Sequence, residues 1–274
     1  MSIRRGSMIL IVAVIATGAL AQEAPSVPFM DPKVDEVLRE MEQALTGASA
    51  FAFTAEVTLD ELHRSGIKIQ RAGRRSMAVR RPDRIVSDVE GDFGSRSAWY
   101  DGKSISVLDK AHYTYAVLDI PTSPTSSTSS SGPLGPSGID AALDFVADEY
   151  DIVLPLADFI RTDVHESLFT GAAFGLYVGL TRVGGITCHQ VALANDFIEW
   201  QLWIDAEGDP LPVKFVITYA DEPGEPQFVA RFLSWNLAPE LPDEAFQFSP
   251  PEGARQIPAA EMAARVQTPE EDCP

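Results

Sequence analysis

Few residues in this chain are spaced for covalent chemistry. Cys188 and His189 stand side by side, and a thiolate–imidazole pair can attack acyl groups. The stretch around them alternates as a strand does, however, and strand neighbours point to opposite faces, so the two side chains are kept apart. His165-Glu166 offers a second acid–base pair. Asp205 and Asp209 flank Gly208, a position where acidic residues serve as turn formers. Asp158 and Asp163 read as helix caps or surface residues. His63, His112, His165 and His189 are scattered, with no pair at metal-ligand spacing. No Gly-rich phosphate loop and no Gly-x-Ser-x-Gly elbow occurs. The sequence therefore predicts no catalytic residue, no metal and no cofactor.

The residue types suit an apolar site better. Trp99, Tyr100, Tyr113, Tyr115, Phe174, Tyr177, Trp200, Trp203, Phe215, Phe228, Phe232 and Trp235 all fall on predicted strands. Most belong to a core, and a few remain to line a cavity. The candidate lining is Phe174, Leu176, Trp200, Leu202 and Phe215 from strands, with Leu143, Phe145, Leu156 and Phe159 from helices. One charged feature stands out: Arg71, Arg74, Arg75, Arg80, Arg81 and Arg84. By strand parity Arg74 and Arg80 share one side, and Arg71, Arg75 and Arg81 the other. They read as a solvated edge hairpin paired with acids, or as a docking patch for an acidic partner.

The elements that position these residues follow from periodicity. Cys188 to Tyr219 reads as three antiparallel strands. Ile198, Trp200, Leu202 and Ile204 share a face, and Val213, Phe215, Ile217 and Tyr219 share one on the returning strand, across a turn at 205–210. Trp203 and Val216 lie opposite, so the hairpin is partly apolar on both sides. Upstream, Asp31 caps a helix with Pro32 at its first position, and Val34, Val37, Leu38, Met41 and Leu45 form its apolar stripe. Strands are predicted at 51–59, 67–72, 74–80, 84–89, 97–100, 104–108 and 113–118. A Ser/Thr/Pro/Gly-rich loop fills 121–138. Short helices follow at 139–150 and 156–168, then strands at 173–183, 187–194 and 227–236. The tail from 258 to 274 is acidic and expected to be disordered. A twisted sheet of about eleven strands should curl and nearly close, with the helices lying over its apolar face.

The formal net charge is −19, which argues against nucleic acid and anionic membrane surfaces as electrostatic partners. Arg4 and Arg5, the apolar run from Met8 to Ile15 and Ala19-Leu20-Ala21 make residues 1–21 a cleavable signal peptide, followed by a linker at 22–30. The mature chain is then exported and does not span a membrane. Two cysteines, Cys188 and Cys273, could pair in an oxidising compartment, but Cys188 reads better as a small buried hydrophobe.

Seven stretches carry a resemblance: Tyr100-Asp101-Gly102-Lys103, Pro155-Leu156-Ala157-Asp158, Cys188, Trp200-Gln201-Leu202-Trp203-Ile204, Pro210-Leu211-Pro212, Val216-Ile217-Thr218, and the run from Phe246 to Ala254. In this order the chain resembles a family of predicted periplasmic proteins called domain of unknown function 2092, across residues 31–257. The loop at 121–138 looks like an insertion into that pattern. The resemblance implies an outer-membrane lipoprotein carrier (LolA-like) fold: a half-open antiparallel β-barrel with an N-terminal helix and a mid-chain helical lid. It implies an apolar interior able to hold acyl chains, and it brings no catalytic residues. Relatives of this fold include carriers and sensor domains. The expected function is thus binding or carrying a lipid or acylated ligand in the periplasm. The alternative is an envelope protein-interaction or sensor module without bound lipid.

Overall fold

Asp31 starts the first helix by accepting the Lys33 amide on its carboxylate at 2.9 Å, and Pro32 fills the first helical position, where no amide hydrogen is needed. This helix, α1 (Pro32–Gly47), buries Val34, Val37, Leu38, Met41 and Leu45. The computed structural model describes residues 29–121, 138–152 and 154–267. The predicted signal peptide, most of the linker, nearly all of the 121–138 loop and Cys273 lie outside the described residues.

The described strands form a single sheet. They are β1 (Phe29–Met30), β2 (Ala50–Leu62), β3 (Lys68–Arg80), β4 (Arg84–Gly91), β5 (Gly94–Tyr100), β6 (Ser104–Asp109), β7 (Thr114–Asp119), β8 (Phe174–Val183), β9 (Ile186–Ala194), β10 (Ile198–Asp205), β11 (Pro212–Tyr219), β12 (Gln227–Asn236) and β13 (Arg255–Gln256). Their order is β1-β8-β9-β10-β11-β12-β2-β3-β4-β5-β6-β7-β13. The pairing of β12 with β2 joins the two runs of strands into one sheet. Between β7 and β8 come α2 (Ile139–Tyr150), a 3-10 turn (Ala157–Ile160) and α3 (Val164–Phe169); α4 (Ala259–Gln267) follows β13.

Three expectations need correction. The sheet has 13 strands rather than about eleven, and it is mixed rather than antiparallel. The additions, β1 and β13, are two-residue strands paired parallel at opposite edges, too short to leave a periodic signal. The sheet is not a half-closed barrel: its edges do not pair with each other and it is not strongly curled. Finally, the segments predicted at 67–72 and 74–80 are one strand, because Gly73 continues the ladder between Val57 and Gly91 instead of turning. That strand lies inside the sheet, so its arginines do not protect an edge.

Register decides which residues share a face. Val191, Leu202, Phe215, Ala230, Val57 and Gly73 form one row across the sheet. Leu193, Trp200, Ile217, Phe228 and Leu59 form the next. These rows join one hydrophobic cluster with the buried residues of α1, α2, the 3-10 turn and α3. This is the helix-side face. A third row on it runs Phe232, Ala55, Arg75, Val89, Arg96, Asp109 and Thr114.

The C-terminal segment wraps around the β7 edge. Phe248 rests on Trp99 and Tyr115, with ring centroids 5.1 and 5.4 Å away, on the face opposite the helices. Then β13 pairs with β7, and Met262 of α4 packs with Ile257, Ala116 and Val107 on the helix side. The expectation of a disordered tail from 258 is therefore wrong for residues 259–267. Met262 and Ala263 give that stretch an apolar face to bury.

Beneath this wrap lies Asp109, only 1% exposed. Burial pushes its carboxyl up, but the amide and ring of His112 and the charge of Arg96 outweigh this and hold it below the ordinary carboxylate range. A depressed folded-state value stabilises the fold above the unfolded carboxylate's titration, and that contribution is lost as pH falls through the folded value. Asp109→Asn is expected to cost about 1–3 kcal/mol at pH 7. Below about pH 4 the difference from the parent should shrink. Urea unfolding at the two pH values checks this; a constant difference would show that the charge is not what matters.

Candidate functional site

The structure brings seven of the nine candidate lining residues together. Trp200, Leu202 and Phe215 line the helix-side face of β10 and β11. Leu156 and Phe159 descend onto that face from the 3-10 turn region and are fully buried. Phe159 meets Phe215 and Phe232 edge-on, at 5.1 and 5.5 Å between centroids. Leu143 and Phe145 of α2 are partly buried against the same cluster. Phe174 and Leu176 do not belong. In β8 it is Gly175 and Tyr177 that pair into the helix-side rows, so their neighbours point the other way. Phe174 meets Phe29 in a tilted contact, 5.6 Å between ring centroids, and Leu176 is 40% exposed. Sequence alternation identifies two faces but does not say which one meets the helices.

The helical cover is fastened by a few polar contacts. Arg81 donates to the carbonyls of Ile160 and Arg161 at 3.1 and 2.9 Å. Asp140 accepts the Thr162 amide at 3.0 Å and also its hydroxyl. Ser167 donates to Asp158 within the cover, and Arg161 pairs with Asp144 at 2.6 Å. His165 is buried, stacks on Phe169 and places Nε2 2.8 Å from Asp35 of α1, while its amide donates to Glu42. His165 thus joins α3 to α1 rather than forming an acid–base pair with Glu166. Burial pushes the Asp158 carboxyl up, against the Ser167 hydrogen bond; Asp163 is raised by burial and by the charge of Asp140.

On this helix-side face several buried polar atoms make no hydrogen bond among the described residues, the Nε of Arg96 and, beside the cover, the Nε of Arg81 among them. The indole Nε1 of Trp200 is sealed from solvent and makes no hydrogen bond among the described residues. The Nε of Arg75 is sealed and unpaired as well. Two open clefts, about 310 and 290 Å³, lie on the opposite face, one by Trp99, Tyr115 and Phe248, the other over Thr54, Ser76 and Asp88; no candidate lining residue touches either. Trp203, also on that face, is capped by the Lys214 ammonium 4.5 Å from its ring centroid.

The remaining chemistry candidates are accounted for by their contacts. His189 takes a hydrogen bond with the Tyr177 hydroxyl at 2.8 Å, and the Cys188 thiol donates to the Ile186 carbonyl at 3.6 Å. Burial pushes the Cys188 thiol up, with Asp205 adding to it, the reverse of nucleophile activation. Asp205 accepts the amides of Glu207 and Gly208, both at 2.9 Å, as a turn former. Among the described residues no group of three or more His, Cys, Asp or Glu is placed to hold a metal. Nor does any described helix have the length and apolarity to cross a membrane. The arginines divide between faces rather than forming one patch: Arg71 pairs with Glu61 at 3.0 Å, Arg80 with Asp243 at 2.5 Å and Arg84 with Asp83 at 2.8 Å.

A family model described as "Predicted periplasmic protein (DUF2092)" matches residues 34–129 and 134–260. The chain belongs to this family. Its match spans both runs of strands and the helical cover between them. No curated protein matches the chain. Several solved structures are similar. An uncharacterized conserved protein from Thermus thermophilus is 11% identical with a TM-score of 0.46, covering 82% of this chain and 99% of its own. Lipoprotein LppX of Mycobacterium tuberculosis is 14% identical with a TM-score of 0.44, covering 77% and 98%. A LolA superfamily protein from Nitrosomonas europaea is 8% identical with a TM-score of 0.36, covering 78% and 96%.

Proposed function

We propose that the protein binds or carries an apolar, acyl-bearing ligand between the helix-side face of β9–β12 and the cover formed by α2, the 3-10 turn and α3. One observation carries this reading: the buried indole N–H of Trp200, without an acceptor among the described residues, on an otherwise apolar stretch of the sheet face. A buried donor left unpaired costs about 1–3 kcal/mol. A ligand carbonyl or hydroxyl held against Trp200 would satisfy it. Binding sites for such ligands are apolar with a few placed polar groups. Trp200, Leu202, Phe215, Leu143, Phe145, Leu156 and Phe159 would line it. Because Leu156 and Phe159 are fully buried, the cover has to shift for a ligand to enter. The signal-like N-terminus and the family description support a periplasmic setting for this activity.

The same close packing favours a second reading, a protein-interaction or sensor module that holds no lipid. Native mass spectrometry of the chain, exported and purified without detergent and then solvent-extracted, separates the two. The carrier reading expects a stoichiometric acylated species, lost in a folded Trp200→Asp variant. A clean unliganded mass, with no uptake of offered fatty acid, phospholipid or acylated peptide, overturns it and leaves the interaction module.

A further inference from the structure

Arg75 lies on the helix-side face, paired across the sheet with Ala55 on β2 and Val89 on β4. Ala55 is fully buried, and the flanking Met77 is nearly so. On its other flank, a Cβ at Gly73 would collide with the Phe93 ring, so that ring covers the strand there. Among the described residues Arg75 has no hydrogen-bond or ion-pair partner; its Nε is sealed from solvent, while part of the side chain stays open to water. Only burial acts on its titration, downwards, and no carboxylate offsets it. A guanidinium in apolar surroundings without an anion is expensive.

The neighbouring cation is already used. Arg96 is two strands away, about 10 Å across the sheet. It donates to the carbonyls of Phe93 and Arg265 and faces Asp109 at 4.0 Å. Arg75 also stands among the residues of the large hydrophobic cluster, which continues past it through Met77 and Tyr100. Ala55 and Phe232 on one side belong to the large cluster beneath α1–α3; Val107 and Ala116, beyond Arg96, belong to the small one under α4. From β3 to β10 the apolar face extends four strands, about 19 Å, the reach of a long acyl chain.

We infer that Arg75 is the head-group site for the ligand: it receives the anionic oxygens of a single amphiphile whose acyl chain lies on the apolar face towards Trp200. This rests on the binding reading proposed above. The planar guanidinium fork matches a carboxylate or phosphate with two parallel hydrogen bonds. The net charge of −19 disfavours docking on an anionic membrane surface, but it acts weakly on one head group in contact with a guanidinium, since charges beyond about 10 Å are screened.

The test uses the full chain after solvent extraction and three probes with one tail: hexadecanoic acid, hexadecyl phosphate and hexadecanol. The parent should bind at least one anion roughly tenfold to a hundredfold more tightly than the alcohol. Preference for the acid identifies a fatty-acid head and preference for the phosphate a lipid phosphate. Arg75→Met should erase the preference while leaving hexadecanol affinity unchanged. It should also raise the melting temperature of the unliganded protein, because an unpaired buried charge is removed. Equal affinity for all three probes overturns the head-group site and leaves the binding reading intact. No binding of any probe overturns both. A lowered melting temperature together with equal loss of acid and alcohol binding makes Arg75 a structural residue and overturns the inference.

Discussion

Phe159→Ala is expected to lower the stability of the folded chain by about 3–5 kcal/mol. The ring is fully buried and contacts Phe215 and Phe232 edge-on, at interplanar angles of 87° and 86°. Its removal takes away apolar burial and two aromatic contacts, each worth about 0.5–1.5 kcal/mol beyond area. It also leaves a cavity between the 3-10 turn and the sheet. Those losses stay large only while the cover holds its place. Urea unfolding with an unchanged slope checks the size. A loss below about 1.5 kcal/mol would mean that the cover collapses into the space, and the interior would then be softer than the packing indicates.

Arg81→Met should cost about 2–4 kcal/mol, and its effect should be local. Arg81 follows β3 directly, at the turn into β4, and its two Nη atoms hold the carbonyls of Ile160 and Arg161, where the 3-10 turn ends. Its guanidinium also lies 5.6 Å from the Phe51 ring centroid. Burial lowers its titration, and the charge of Asp140 offsets this in part. Methionine keeps the apolar stem but abandons both carbonyls at a partly buried site. Amide exchange should therefore quicken between residues 157 and 169 well before it does in β9–β12, because opening a locally anchored unit does not require global unfolding. If α1 and the sheet quicken equally, Arg81 supports the whole fold and does not fasten the cover specifically. Under the proposed function, the same variant should exchange a bound ligand faster than the parent.

The Arg81 contact and the Arg75 site were only half legible in sequence. Parity along 68–80 separates Arg74 and Arg80 from Arg75, and that much held. Parity does not reveal that β3 is an inner strand, nor that among the described residues Arg75 lacks a carboxylate while Arg71 has Glu61. The same limit explains Phe174 and Leu176. Their alternation is genuine, but the bulge between Tyr177 and Gly179 and the pairing of Gly175 with Leu193 turn them away from the helices. The α4 helix escaped notice because its burial rests on Met262 and Ala263 alone. Two apolar residues in an acidic tail carry no recognisable stripe.

The sequence by itself determined α1, with its cap and stripe, the hairpins from Cys188 to Tyr219, and the family match running through 260. It also determined that Cys188 and His189 cannot cooperate, since adjacent strand residues diverge. These depend on contacts within a few residues or one turn, where spacing alone sets geometry. The tertiary structure decided the return of β12 to β2, the open edges, the wrap of residues 246–267 around β7, and which sheet face the helices cover. Those features depend on pairings between residues far apart in the chain, such as Phe232 with Ala55, and no local period encodes them. The guanidinium of Arg75, unpaired among the described residues, belongs to this second kind, because a missing partner becomes visible only once its neighbours are in place.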